Sequence, residues 1–182
     1  MKLVSVIIPC FKDSKTLCRA INSVVAQSHK PIEIIVINDC SPETKIIEKY
    51  LKKYPSIKYF YNKKNLGLAA SRNRGIQLAK GEIVAFLDAD DEYHPDKIKI
   101  QLEYLEENTA VTCEVLNISP SGKRYYKLGH HQLIIKPREI VFSNKLNGGG
   151  LLCKKKMIIS VGGFNSNLKS CEDFDRILSN GS

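Results

Sequence analysis

"EIVAFLDADDEYHPDKI", residues Glu82 to Ile98, runs from an apolar stretch through three aspartates into a helical pattern. The apolar part, Ile83 to Leu87, is short and carries no polar residue, as a strand buried on both faces would. Pro95 then sits where a helix accepts proline in its first turn, ahead of the alternation that begins at Ile98. Between these parts, Asp88, Asp90 and Asp91 crowd like charges into four consecutive positions. Strand, acidic loop and helix in that order suggest an open α/β sheet, whose ligands lie beyond the carboxyl ends of the strands.

The same unit recurs upstream. "LVSVIIP" is a β-branched run ended by proline, and "SKTLCRAINSVVAQS" places Leu17, Ala20, Ile21, Val24 and Val25 on one helical face, with Ser14 as N-cap. "IEIIVIND" and "PETKIIEKYLKKY" form a second strand and helix, and "IKYFYN" and "GLAASRNRGIQLAKG" a third pair closed by Gly81. Parallel strands need crossover helices that cover both faces, so the fold class is α/β with a mostly parallel sheet. Downstream, "PDKIKIQLEYLEEN" reads as a helix, "AVTCEVLNI" as a strand and "SPSGKRYYKLG" as a hairpin or a strand plus loop. Glycines bracket the apolar segment "NGGGLLCKKKMIISVGGF", and "CEDFDRILSNG" reads as a short final helix. A soft boundary near residue 110 divides a nucleotide-fold half, 1–110, from a more variable half, 111–182.

Composition excludes several classes. The 182 residues are 43% hydrophobic and 26% charged, which suits a globular chain rather than a disordered one. The net charge of +9 comes from lysines spread along the chain, and no basic-aromatic module or zinc finger marks a nucleic-acid partner. A solvated basic surface is the favoured reading; attraction to anionic headgroups or a phosphorylated substrate is the weaker one. The six cysteines form no C-x-x-C pair and no framework, as expected in a reducing cytosol. No run approaches the roughly 20 apolar residues of a membrane helix, and the N-terminal run is too short for a signal peptide. A cytoplasmic location is expected, with room for peripheral association at the inner face of the membrane.

Three strand ends should converge on one crevice: Pro9-Cys10-Phe11, Asn38-Asp39 and Asp88-Ala89-Asp90-Asp91. A single aspartate in such a place is commonly a turn former. The D-x-D pair is more demanding, because residues two apart in an extended segment point the same way. At ~4 Å and an effective dielectric of about 20, two like charges cost each other about 4 kcal/mol. A hard cation, Mn²⁺ or Mg²⁺, reverses the sign of that cost and fills its remaining positions with water and phosphate oxygens. Asp91 is read as a loop charge or a contributor to the helix start, and His94 as a loop residue rather than a metal ligand. His130-His131 lacks partner spacing for zinc. Arg72, near the start of its helix, is placed to pair with a diphosphate in fork geometry, whereas Arg74 can be an ordinary surface charge.

"SVIIPCF", "EIIVINDCS", "NLGLAASRNRGI", "GEIVAFLDADDEYHPDKI", "VGGF" and "CEDFD" occur in the order and spacing of the family 2 glycosyltransferases, which the chain resembles over nearly its whole length. That resemblance implies the GT-A fold, and inverting transfer of a sugar from a nucleotide donor, usually a UDP-sugar, to an acceptor hydroxyl. By position, Pro9 and Phe11 resemble the loop beside the base and ribose, Asp39 the aspartate bonding the uracil, and Arg72 a donor-contacting residue. Asp88 resembles the first D-x-D residue, near ribose and metal, and Asp90 the direct metal ligand. Asp173, in the pair Glu172-Asp173, resembles the general base, although without the other motifs "EDFD" would read as an acidic first turn of a helix. Gly162 and Gly163 match a loop on the acceptor side, with Glu172 beside it.

The two halves then become a nucleotide-sugar-binding half, 1–110, and an acceptor-side half, 111–182. Lys12 stands where the family usually has asparagine, Asn38 where it often has aspartate and Cys40 where glycine is common. Family members normally continue beyond Asp173, so the chain is expected to be a short or truncated member. The expected acceptor is a glycan or lipid-linked precursor of surface polysaccharide or lipopolysaccharide. The alternative is a nucleotide-sugar-binding or interaction domain without turnover. A sugar-nucleotide pyrophosphorylase is disfavoured because "PCFKDSKT" lacks a glycine-rich loop. A haloacid-dehalogenase-type phosphatase is disfavoured because its D-x-D lies on the first strand.

Overall fold

The computed structural model describes residues 2–107, 109–113, 115–118, 124–128, 134–135 and 148–167. Strands β1 (Val4–Cys10), β2 (Ile32–Asn38), β3 (Lys58–Tyr61) and β4 (Ile83–Phe86) alternate with helices α1 (Leu17–Val25), α2 (Thr44–Leu51) and α3 (Leu68–Leu78). Helix α4 (Lys97–Glu103) follows β4. The short strands β5 (Ala110–Val111), β6 (Val115–Ile118), β7 (Arg124–Leu128), β8 (Ile134–Ile135) and β9 (Leu152–Lys154) come next, and then helix α5 (Lys155–Ser160). Seven strands share one sheet in the order β3-β2-β1-β4-β9-β5-β8, while β6 and β7 pair separately.

The β-branched runs behave as buried parallel strands. β1 pairs with β2 from Val4↔Ile32 to Cys10↔Asn38 and with β4 from Val4↔Ile83 to Ile7↔Phe86. Alternate residues of β1 serve opposite faces. Val4, Val6 and Ile8 join Leu17, Ile21 and Val24 of α1, Ile47 of α2 and Ile98 of α4 in one core. Ile7 joins Ile35, Ile37, Phe86, Ala69 and Ile76 of α3 and Phe164 in the other. Helix α3 lies so close to β1 that a Cβ on Gly75 would stand 2.3 Å from Ile7 Cγ2. That approach carries Arg72, one turn earlier, beneath the carboxyl end of β4.

The second half completes the sheet: β9 runs antiparallel to β4 and to β5, and β5 antiparallel to β8. The sheet is therefore mixed on this side. The expected strand "AVTCEVLNI" divides, with Ala110–Val111 in the main sheet and Val115–Ile118 in an antiparallel ribbon with Arg124–Leu128. Of "SPSGKRYYKLG", read as a hairpin or a strand plus loop, the described residues form one strand, Arg124–Leu128, whose partner belongs to the preceding stretch. The break falls at Thr112 and Cys113, which pack against Gly150: a Cβ there would stand 3.3 Å from both Cys113 Sγ and Thr112 Oγ1.

Several boundaries differ from expectation. β1 continues through Pro9 to Cys10, because pairing with β4 stops at Ile7. Leu87 donates to the Ile7 carbonyl, so odd positions of β1 face β4, and the missing Pro9 donor costs no ladder bond there. Helix α1 begins at Leu17 rather than near Ser14; the Asp13 carbonyl receives its first amides, and the Ser14 amide donates instead to Glu43 Oε2 at 2.9 Å. Helix α3 ends at Leu78 with Ala79 as its cap, three residues before the next strand's flank, so Gly81 does not close it. Gly81 is instead pressed against β1, where a Cβ would meet Leu3 O and Ser5 Oγ at 2.7 Å. The expected final helix at Cys171 lies outside the described residues.

Candidate active site

The carboxyl ends of β1, β2 and β4 do converge. They enclose a cleft of about 400 Å³ lined by Pro9, Cys10, Phe11 and Asp13 after β1, and by Asp39 after β2. Asn65, Gly67, Leu68 and Ser71 close it from the entry to α3, and Asp88, Ala89 and Asp90 from the loop after β4. Five of the sequence-predicted residues (Pro9, Phe11, Asp39, Asp88 and Asp90) therefore share one cavity.

The D-x-D segment is a turn rather than an extended strand end. Strand β4 stops at Phe86, and the Asp91 amide donates to the Asp88 carbonyl at 3.1 Å. Both Asp88 and Asp90 still line the cleft, so the turn supplies the convergence that pleating was expected to supply. Behind it, the Tyr93 hydroxyl donates to the Phe86 carbonyl at 2.5 Å and pins the loop to the strand it left. Asp91 is held above the ordinary carboxylate range by desolvation first, and then by Asp88 and Asp90. His94 spends its ring on the chain itself, with Nδ1 accepting from the Asp96 amide at 3.3 Å.

Arg72 differs from its expected pose. It is 1% exposed, and its Nη2 donates to Asp88 Oδ1 at 2.8 Å, with the guanidinium 5.3 Å from the centre of the Phe164 ring. The helix position that seemed to offer Arg72 to a diphosphate instead buries it under Asp88. The reason is the close packing of α3 on β1 at Gly75. Arg74 donates from Nη1 to the Tyr61 carbonyl at 2.8 Å and to Asn62 Oδ1, a structural role in line with its reading as an ordinary charge.

Asp39 is 4% exposed and holds a loop. Its Oδ1 accepts from Asn62 Nδ2 at 2.7 Å and from the Leu66 amide at 2.9 Å, and its Oδ2 from the Gly67 amide at 2.8 Å. About one of its roughly four lone-pair sites is left for a ligand. Phe11 is 37% exposed at the rim, with Lys12 Nζ 5.2 Å from its ring centre. Burial, then Asp13 and Asp39, push the Cys10 thiol up to about 12, which leaves it an inert wall.

Sequence reasoning passed over Asp13. Its Oδ2 accepts from the Phe11 amide at 2.7 Å, and its carboxyl is raised above the ordinary range. Burial raises it, the Phe11 amide lowers it, and the charges of Asp90, Glu43 and Asp88 raise it again. The available signal was its place three residues after β1, at the same sheet edge as the other aspartates. Among the described residues, no three His, Cys, Asp or Glu side chains are grouped closely enough to cage a metal alone. Two hard carboxylates beside a cavity, with excess negative charge around them, fit a cation that takes its other ligands from phosphate and water.

Gly162 and Gly163 do not line the cleft. With φ of 83° and 72°, they end α5, their amides donating at 2.9 Å to the carbonyls of Ile159 and Ile158 respectively. This crossed pair is a Schellman cap, and its product is the placement of Phe164. Lys12 and Cys40, at φ 65° and 58°, hold the left-handed conformations that asparagine and glycine take more readily. Glu172 and Asp173 lie outside the described residues.

Residues 5–164 match the profile described as Glycosyl transferase family 2. An uncharacterised glycosyltransferase of Haemophilus influenzae is 29% identical over 97% of this chain and 61% of its own length. TuaG of Bacillus subtilis, named as a teichuronic acid biosynthesis glycosyltransferase, is 38% identical over 59% of this chain and 43% of its own. In structure, S. aureus TarS 1–349 in complex with UDP superposes with a TM-score of 0.76 at 22% identity, over 97% of this chain and 54% of that one. The mannosyltransferase PcManGT of Pyrobaculum calidifontis, in complex with GDP-Man and Mn²⁺, gives 0.68 at 17% identity, over 91% and 48%. The chain thus spans between about two-fifths and three-fifths of the length of these proteins.

Proposed function

The chain belongs to glycosyl transferase family 2 and has the GT-A fold, and from this we propose that it carries the donor site of an inverting, metal-dependent glycosyltransferase. The donor is a UDP-sugar, and the acceptor a hydroxyl of a glycan or lipid-linked precursor in surface polysaccharide or lipopolysaccharide synthesis. The observation that carries the reading is the shared cavity at three strand ends, with Asp39 on one wall and Asp88 and Asp90 on the other. TarS, with UDP, and TuaG, with its named pathway, agree in donor and setting.

On this reading, residues 1–110 bind the nucleotide-sugar and residues 111–182 serve the acceptor side. Pro9 and Phe11 flank the base and ribose, and Asp39 positions the loop at Leu66 and Gly67 while offering its last lone pair to the base. Asp88 and Asp90 would hold Mn²⁺ or Mg²⁺, which when bound supplies positive charge to a departing diphosphate. Arg72 acts on the donor through Asp88, whose Oδ1 it fixes. Asp173 takes the proton of the attacking hydroxyl, as inversion by a single in-line displacement requires. No helix among the described residues is long and apolar enough to cross a membrane. A cytoplasmic protein that meets its acceptor peripherally at the inner membrane face fits this reading.

The test is calorimetry of UDP with and without Mn²⁺, followed by a donor screen that monitors UDP release. Binding should require the cation and weaken at least about tenfold in Asp90→Ala. Cation-independent binding of equal strength in that variant overturns the metal assignment. Asp173→Asn should abolish transfer and keep UDP affinity, and full transfer by that variant removes Asp173 as base. UDP binding without transfer from any donor selects a binding module instead.

A further inference from the structure

Asn73 lies next to Arg72 on α3 and reaches the opposite half of the chain. Its Nδ2 donates to the Phe164 carbonyl at 2.8 Å, and its Oδ1 accepts from the Phe164 amide at 2.9 Å. One side-chain amide thus holds both polar backbone groups of one residue. The fit is close, because a Cβ on Gly163 would stand 2.5 Å from Asn73 Oδ1. Position 163 must be glycine for this reason as well as for its φ of 72°.

The Phe164 ring, 5% exposed, then does two things. It meets Phe86, the last residue of β4, edge-on, with centroids 5.0 Å apart at 86°. It also lies 5.3 Å from the Arg72 guanidinium, whose Nη2 holds Asp88 Oδ1. A buried guanidinium gains from an aromatic face that water does not reach. A continuous chain of contacts therefore runs from Asn73 through Phe164 and Arg72 to the first carboxylate of the D-x-D turn.

We propose that Asn73 and Phe164 are positioning residues for the donor site: they lock the loop after α5 onto α3 and thereby fix Arg72, and through it the Asp88 carboxylate, in the pose that receives the cation and diphosphate. This rests on the reading of Asp88 and Asp90 given above. It also gives the Gly162-Gly163-Phe164 segment a task toward the donor, whereas its family resemblance places it on the acceptor side. An outer residue that orients a ligand carboxylate typically affects cation affinity about 10- to 100-fold without touching the cation.

The test titrates Mn²⁺ into the 182-residue chain at fixed UDP and reads UDP binding, with thermal melts to establish folding. The variants are Asn73→Ala, Phe164→Leu, Asp88→Asn and the double variant Asn73→Ala/Asp88→Asn, with Asp90→Ala as control. Asn73→Ala should raise the Mn²⁺ midpoint about tenfold, and Phe164→Leu should shift it the same way. In the Asp88→Asn background, adding Asn73→Ala should cause no further shift, since its route to the cation is already cut. Should Asn73→Ala fail to fold, Phe164→Leu, which keeps the backbone bonds, carries the test. Folded variants with an unmoved midpoint, or an equal shift in the Asp88→Asn background, overturn the proposal. If Asp90→Ala also leaves the midpoint unmoved, the donor-site reading fails and this inference with it. If Asp90→Ala moves it and the two positioning variants do not, only the inference fails.

Discussion

At the amino ends of β1 to β3, Glu33 is surrounded by donors. The Ser5 hydroxyl, the Lys58 ammonium and the Lys80 amide, the last at 2.8 Å, all point at its carboxylate, and the Gly81 amide closes the set on Ser5 Oγ at 2.9 Å. Burial alone would raise this carboxyl, but those donors together hold it below the ordinary glutamate range. At the carboxyl ends of the same sheet, Asp13 and Asp91 are raised, by desolvation first and then by neighbouring carboxylates. One edge of the sheet satisfies its charge and the other leaves it crowded. The first arrangement fastens three strands to the turn before β4. The second costs stability, a cost that the cation and diphosphate proposed above would offset. Strain follows the same division, since the two non-glycine residues at positive φ among the described residues, Lys12 and Cys40, both lie at the carboxyl edge.

The largest effect should come from breaking the satisfied end. Glu33→Gln removes the Lys58 partner and turns one acceptor of the network into a donor, at a cost of about 2 kcal/mol by denaturant unfolding at pH 7. The pH dependence has a definite sign. A glutamate whose folded pKa is lowered stabilises fully above its unfolded value of 4.5 and loses that contribution as pH falls through the folded value. The gap between wild type and variant should therefore hold from pH 7 to about 5 and narrow below that. A gap of the same size at pH 3 would show that packing, rather than the ionised network, fastens this edge.

A smaller effect of opposite sign is expected at the strained end. Cys40→Gly removes a left-handed cost of about 1 kcal/mol and gives up the contact of Sγ with the Tyr61 hydroxyl at 3.3 Å. The variant should melt slightly higher than wild type. A lower melting temperature would mean that the thiol contact outweighs the backbone strain, and that strain does not distinguish the two edges.

How much of this was legible depended on range. The parallel core was written in local pattern: β-branched runs and helical periodicity put β1 to β4 and their helices in place, because β1, β2 and β4 are buried on both faces and the half-buried β3 pairs in parallel beside β2. The cluster at three strand ends was legible for the same reason, since topology alone brings the strand ends together. Arg72 was misplaced because its direction depends on how closely Gly75 lets α3 approach Ile7, a contact between residues far apart in sequence. Asn73 and Phe164 were silent for a related reason: an asparagine in a helix and a phenylalanine after two glycines show no tie until the fold joins them. The division of "AVTCEVLNI" was hidden because the run reads as one strand, whereas its break lies where Thr112 and Cys113 pack against Gly150 from another segment.

The smallest effect tests the crowded end most directly. Asp13→Asn is isosteric and keeps an oxygen to accept from the Phe11 amide, so the turn after β1 should survive. What it removes is a charge that Asp90, Glu43 and Asp88 disfavour. For an aspartate whose folded pKa is raised, the penalty is absent below the unfolded value of 3.8 and fully present above the folded one. In chelator at pH 7 the variant should thus be more stable than wild type, by about 0.5 kcal/mol after allowance for solvent screening. The advantage should fade as pH falls toward 4. With Mn²⁺ and UDP present the order should reverse, because the same negative field that strains the empty cleft attracts the cation. A variant less stable than wild type in chelator would mean that the bond from the Phe11 amide to the charged oxygen outweighs the crowding. The two edges of the sheet would then differ in geometry but not in electrostatic design.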